Sequence, residues 1–220
     1  MLANEGEALT NEAPIEQAVT DDIPATDVDV EEETALVDDG VIEDAALNSN
    51  GETALEAVRN EVHTSSALLD ALAESENEES ASVLARQIQS LWNDSGSDTA
   101  NLLMRRATFA IRGGNYIVAL DLLDSVIALE PRFAEAWNRR ATVHFLRQDY
   151  GRSISDVEQV LRLEPRHFGA LSGIGIILDE LGEDMQAQVF LQEALKVHPY
   201  LNGPRNRLGE IERRLLGAPI

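Results

Sequence analysis

Four histidines, several acid pairs and an arginine pair that recurs in register are the groups through which this chain could do chemistry. His63, His144, His167 and His198 offer no pair at metal-ligand spacing on one helix face. His144 reads as a core or half-buried residue, and His167 and His198 as solvated turn residues. Gly173-Ile174-Gly175 resembles a fragment of a phosphate loop but has no strand before it. Ser95-Gly96-Ser97 reads as a loop between helices, not as a nucleophile elbow. Asp179-Glu180 and Glu183-Asp184 fall on a helix end and its turn, with no apolar pocket to raise a carboxyl pKa. There is no cysteine, hence no thiolate nucleophile, disulfide or cysteine-bound zinc. No nucleophile, base and oxyanion site come together, so neither an enzyme nor a cofactor or metal is expected. The recurring feature is an arginine pair, Arg105-Arg106 and Arg139-Arg140, repeated at 139 − 105 = 34 residues. Guanidinium forks suit carboxylates, and so point toward recognition.

The elements that carry those arginines share the same period. Pro131, Pro165 and Pro199 stand 34 residues apart, each closing a similar phrase: Leu129-Glu130-Pro131, Leu163-Glu164-Pro165, Val197-His198-Pro199. A fixed period of this length marks stacked helical hairpins, in which no single repeat can bury its apolar face alone. With each proline at position 32, the units begin at Ala100, Ala134 and Phe168. Position 8 is small (Ala107, Ala141, Gly175), as is position 20 (Ala119, Ser153, Ala187). Positions 4, 24 and 28 are large and apolar: Leu103, Trp137, Leu171; Leu123, Val157, Leu191; Ile127, Leu161, Leu195. Small residues let antiparallel helices approach, and large ones fill the space between hairpins. Gly113-Gly114-Asn115, Gln148-Asp149 and Gly182-Glu183 supply the turns. Proline at position 32 ends each second helix.

Over residues 100–199 this pattern resembles the tetratricopeptide repeat (TPR), with units at 100–133, 134–167 and 168–199. The fold it implies is all-α: a right-handed superhelical α-solenoid of three hairpins with N- and C-terminal capping helices. Two departures stand out: Arg106 and Arg140 at position 7, usually Leu, and Ala110, His144 and Leu178 at position 11, usually aromatic. The run from Leu91 to Tyr200, with Leu91-Trp92 followed by Ser95-Gly96-Ser97, is also similar to a group of small alphaproteobacterial repeat proteins without an established activity. In the family, positions 2, 5, 6, 9, 12 and 13 of the first helices line a concave groove. The resemblance therefore implies a partner-binding groove formed by Arg105, Thr108, Ile111, Arg112, Asn138, Arg139, Thr142, Phe145 and Ile176. One branch clamps the C-terminal carboxylate of chaperones with lysine, asparagine and arginine. This chain carries Met104, Thr108, Arg139, Gly169 and Gly173 there, which disfavours a chaperone-tail adaptor.

Flanking the repeats, Asn202-Gly203-Pro204 starts a helix with Leu208, Ile211 and Leu215 on one face, and Gly217 and Pro219 stop it. This helix, within 200–220, is expected to cap the last hairpin. Val83, Leu84, Ile88, Leu91 and Trp92 form a stripe over residues 79–92, preceded by Leu68, Leu69 and Leu72. Residues 61–99 are expected to cap the first repeat, with Trp92 in the core.

Charge separates this region from what precedes it. Residues 1–79 hold 23 acids and one base, a net of −22; residues 80–220 hold 17 acids and 16 bases, a net of −1. High charge with scattered apolar residues predicts a disordered acidic tail over 1–60. A strongly acidic chain is repelled by phosphate, so nucleic acid is not expected as a partner. No apolar run approaches the roughly 18 residues of a membrane span, and no basic-then-apolar signal follows Met1. The expected home is the cytoplasm, or the periplasm if the N-terminus is trimmed or mis-started. The expected function is a non-enzymatic scaffold whose groove binds a peptide or helix, an acidic one suiting the arginines; the alternative is a structural or self-assembling repeat protein. The segment around Glu31-Glu32-Glu33 and Asp38-Asp39 is itself a candidate groove ligand in cis.

Overall fold

The computed structural model describes residues 65–217, and the acidic tail lies outside them. The described residues are helical throughout, with no strand. Helix α1 covers 65–73 and α2 is Glu78–Trp92. Three hairpins follow: α3 (Asp98–Arg112) with α4 (Tyr116–Leu129), α5 (Ala134–Leu146) with α6 (Tyr150–Leu163), and α7 (Phe168–Glu180) with α8 (Asp184–Val197). Helix α9 (Asn202–Leu215) closes the chain.

One turn is used three times. Gly114, Gln148 and Gly182, all at position 15, adopt the left-handed conformation with φ of 69°, 60° and 75°. The residue after each donates its N–H to a carbonyl five residues back: Asn115 to Ala110, Asp149 to His144, Glu183 to Leu178, all at 2.8 Å. These bonds satisfy carbonyls that the ending helix leaves open. At the other end of each hairpin, Glu130, Glu164 and His198 leave the helical region, with φ of −129°, −132° and −132°, as a following proline favours.

Inside the hairpins the small positions do what their size allows. Ala107, Ala119, Ala141, Ser153 and Ala187 are buried, and the Ser153 hydroxyl donates to the Ala141 carbonyl at 2.8 Å. A Cβ on Gly175 would stand 2.7 Å from Leu191 Cγ, so only glycine fits there. The first helices of successive hairpins (α3, α5, α7) touch one another, whereas the second helices scarcely do. The first helices therefore form the inner row of a curved stack.

The N-terminal helices depart from expectation. Their apolar residues pack on the third unit, not the first: Leu69, Leu72, Ala81, Ala85, Ile88 and Trp92 share a core with Phe168, Leu171, Ala194 and Val197. Arg166 ties α1 to the stack through Asp70 at 2.6 Å. The cause is Phe168, a bulky apolar residue at position 1, where the other units carry Ala100 and Ala134; it needs a cover, and Ile88 and Trp92 provide one. The buried stripe of α2 is accordingly Ala81, Ala85, Ile88 and Trp92, while Val83 and Leu91 are exposed. At the other end α9 caps the third hairpin as expected, but through Ile211 and Pro204, with Leu215 exposed. Arg214 pairs with Asp179 and Asp184, and Arg207 with Asp179 and Glu180, so the acids at the end of α7 fasten the cap.

Candidate functional site

The inner row brings some of the predicted groove residues together and buries others. Arg139, on α5, is only 6% exposed. One terminal nitrogen donates to Thr108 Oγ1 on α3 at 2.9 Å, and the other to Asn93 Oδ1 at the end of α2 at 2.6 Å. Its Nε lies 3.1 Å from Glu135 Oε1, an ion pair too far off line to be a hydrogen bond. Glu135 in turn receives Asn138 Nδ2 at 3.1 Å and His167 Nε2 at 3.3 Å. Burial would raise the Glu135 carboxyl, but the Arg139 charge and the bonds from His167 and Asn138 hold it below the ordinary carboxylate range.

His167 is buried, contrary to the solvated turn expected. Its Nδ1 accepts the Ala170 N–H at 3.1 Å, capping α7. That leaves Nε2 to carry the proton toward Glu135. The ring stacks on Trp92 with centroids 4.1 Å apart, which places Trp92 in the core as expected. His198 is also buried, edge-on to Phe168 at 5.3 Å. Burial and the Arg205 charge push its pKa down to about 4. Sequence reasoning missed both because a turn residue is exposed only if nothing packs against it, and here Trp92 of α2 lies on His167 while Phe168 and Arg205 lie near His198.

Of the remaining predicted residues, Ile111 lies in the core of the first hairpin, and Phe145 and Ile176 share the core of the second and third. Thr142 and Asn138 are half-buried on α5, and Thr142 Oγ1 donates to the Asn138 carbonyl at 3.0 Å. Arg105 and Arg112 are exposed on α3. The inner face is thus partly occupied by the chain's own α2, anchored where Asn93 meets Arg139.

On the outer side, Arg140 explains the departure at position 7. Its Nε and one terminal nitrogen grip Asp156 of α6 at 2.9 and 2.7 Å, and the other reaches Asp124 of α4 at 2.7 Å. The guanidinium lies 4.8 Å above the Trp137 ring. His144 Nε2 is 3.9 Å from Asp156, yet burial outweighs that charge and lowers its pKa. Asp124, Arg140, His144 and Asp156, with Leu120, Arg152 and Ser155, line a cleft of about 390 Å³ whose principal charges are already paired. No cluster of three His, Asp or Glu side chains suited to a metal occurs among the described residues. No helix among them is long and apolar enough to cross a membrane.

No family model matches the chain. A TPR repeat-containing protein of Rhizobium etli is 44% identical over 137 residues, spanning 62% of this chain and 67% of the relative. Anaphase-promoting complex subunit 3 of Schizosaccharomyces pombe is 27% identical over 81 residues, which span 37% of this chain and 12% of that protein. Among solved structures, the first TPR of Spaghetti (RPAP3), bound to an HSP90 peptide, superposes with a TM-score of 0.52 at 21% identity, covering 56% of this chain and 96% of that one. The Sgt2 TPR domain from Aspergillus fumigatus gives 0.52 at 15% identity, covering 55% and 81%. The repeat period, the three equivalent turns and the extended match to the Rhizobium protein agree: this chain belongs to the tetratricopeptide-repeat proteins.

Proposed function

We propose that the protein is a non-enzymatic interaction scaffold whose inner face binds a helix or peptide of a partner. The observation that carries this reading is the seating of α2. An amphipathic helix already lies against the inner row, with Ile88 and Trp92 packed at Phe168 and Leu171 and the polar Asn93 end bonded to Arg139. The surface accepts a helix by the combination a partner would use, apolar side chains in a recess and one polar anchor. The Spaghetti domain, of the same fold, holds the HSP90 peptide SRMEEVD, which supports peptide binding as a use of this architecture. Asn138 and Thr142, half-buried on α5, form the polar part of the site; Thr108 and Arg139 hold the end of α2 beside it, and Ile111, Phe145 and Ile176 lie in the core beneath.

The test starts with partners recovered on the full chain by affinity capture and identified by mass spectrometry. Binding of the recovered partner segment is then measured by calorimetry to the wild type and to Thr142→Arg, which crowds the half-buried middle of α5. Affinity at least ten-fold weaker with an unchanged melting temperature supports the inner face. Undiminished affinity would place the partner elsewhere.

A further inference from the structure

Positions 3 and 10 of a first helix face the hairpin before it. In the second unit these are Ala136 and Val143, buried in the core of the first hairpin. In the third they are Ala170 and Ile177, buried in the core shared with the second. Their equivalents in the first unit are Leu102 and Phe109, 41% and 82% exposed. The helices that would have covered them, α1 and α2, lie on the third unit instead. Between Leu102 and Phe109, on the same face of α3, stand Arg105 and Arg106, both exposed and without an ion pair among the described residues. The stack therefore ends in an apolar face carrying two unneutralised guanidinium groups.

We propose that the chain's own segment 28–45 covers this open end. The segment holds eight acids and no base, interleaved with Val28, Val30, Leu36, Val37, Val41 and Ile42. It thus matches Arg105 and Arg106 in charge and Leu102 and Phe109 in character. Two copies meeting through this face about a two-fold axis would set the arginine pairs against each other, which disfavours self-association there. The tether is long enough. Twenty residues separate 45 from 65, a reach of up to ~66 Å, whereas first helices two units apart lie roughly 20 Å from each other at 8–10 Å per packed pair. A tether of this kind holds the segment at an effective concentration on the order of mM, so a weak contact suffices. Leu102, Arg106 and Phe109 lie off the positions that line the inner face, with Arg105 at its edge, and the proposal does not depend on the function proposed for that face.

The chain has no cysteine, so Thr34→Cys gives a single spin-label position in the full-length protein. Paramagnetic broadening is then read over the backbone amides. Docking at the open end predicts at least a two-fold intensity loss over residues 102–109 relative to the reduced label. That loss should disappear in Arg105→Glu/Arg106→Glu, a change of exposed residues that leaves melting unaltered. It should also fade in 0.5 M salt, where the screening length is about 4 Å. Broadening confined to α5 and α7, or no broadening on α3, overturns the assignment. A mixture of spin-labelled chains with isotope-labelled, cysteine-free chains distinguishes the remaining case. Broadening of α3 in that mixture means a second copy delivers the segment, and the intramolecular proposal fails.

Discussion

Arg105-Arg106 and Arg139-Arg140 hold the same two positions in consecutive hairpins and meet opposite fates. The first pair lies in solvent at the end of the stack. In the second, Arg139 is buried in a network joining α2, α3 and α5, and Arg140 bridges α4 to α6. The difference is one of neighbours. Asp156 of its own hairpin and Asp124 of the one before flank Arg140, whereas the first unit carries Leu122 at the position of Asp156 and has no hairpin before it among the described residues. A recurrent arginine pair in a repeat therefore does not define one surface: it becomes an internal tie where hairpins meet and a charged face where the stack ends.

The largest expected contrast tests that tie directly. Arg140→Met leaves Asp156, only 5% exposed, as a buried carboxylate without its partner, and should cost about 3–5 kcal/mol by denaturant melting. Adding Asp156→Leu should restore most of that loss. Arg106→Met, at the same position one unit earlier, should stay within about 0.5 kcal/mol. Equal effects at the two sites would mean the pairing contributes little.

Two glycines of α7 sharpen the comparison of inside and outside. Gly175→Ala drives a methyl into Leu191 and should cost about 1–3 kcal/mol. Gly173→Ala meets nothing within 4 Å, and should stabilise by up to about 1 kcal/mol through helix propensity. Thermal melts of both variants, in opposite directions, are the expected result.

A smaller effect tests the burial of His198. His198 titrates near 6.5 when unfolded and at about 4 when folded, because burial and Arg205 disfavour its charged form. Between those values the unfolded chain binds the proton and the folded chain does not. Stability should therefore fall as pH drops from about 6.5 toward 4, with His198 contributing on the order of 1–3 kcal/mol. His198→Phe should flatten that part of the melting-temperature profile; an unchanged slope would show that His198 is protonated in the fold. The smallest change is at the second turn. Gln148 takes the left-handed conformation that Gly114 and Gly182 adopt without strain, so Gln148→Gly should gain about 0.5–1 kcal/mol.

The architecture was readable in the chain because its determinants are local and repeated. Proline spacing sets the helix ends, position 15 the turns, and positions 8 and 20 the close approach within each hairpin. Each needs only residues a few places apart, or the same requirement met again 34 residues later. The C-terminal cap was readable for the same reason, although Asp179, Glu180 and Asp184 proved to be its anchors.

What tertiary structure alone decided concerns groups far apart in sequence. That α1 and α2 cover Phe168 rather than Leu102 depends on which apolar surface most needs burial, a comparison across the whole stack. That His167 stacks on Trp92, and that Arg139 spends its donors on Thr108 and Asn93, follows from this choice. The sequence determined the hairpins and their register, and its resemblance to a repeat family pointed to side chains that could line an inner face. Which of them are buried, paired or left open was set by where the N-terminal helices came to rest, because burial is a property of neighbours and not of residues.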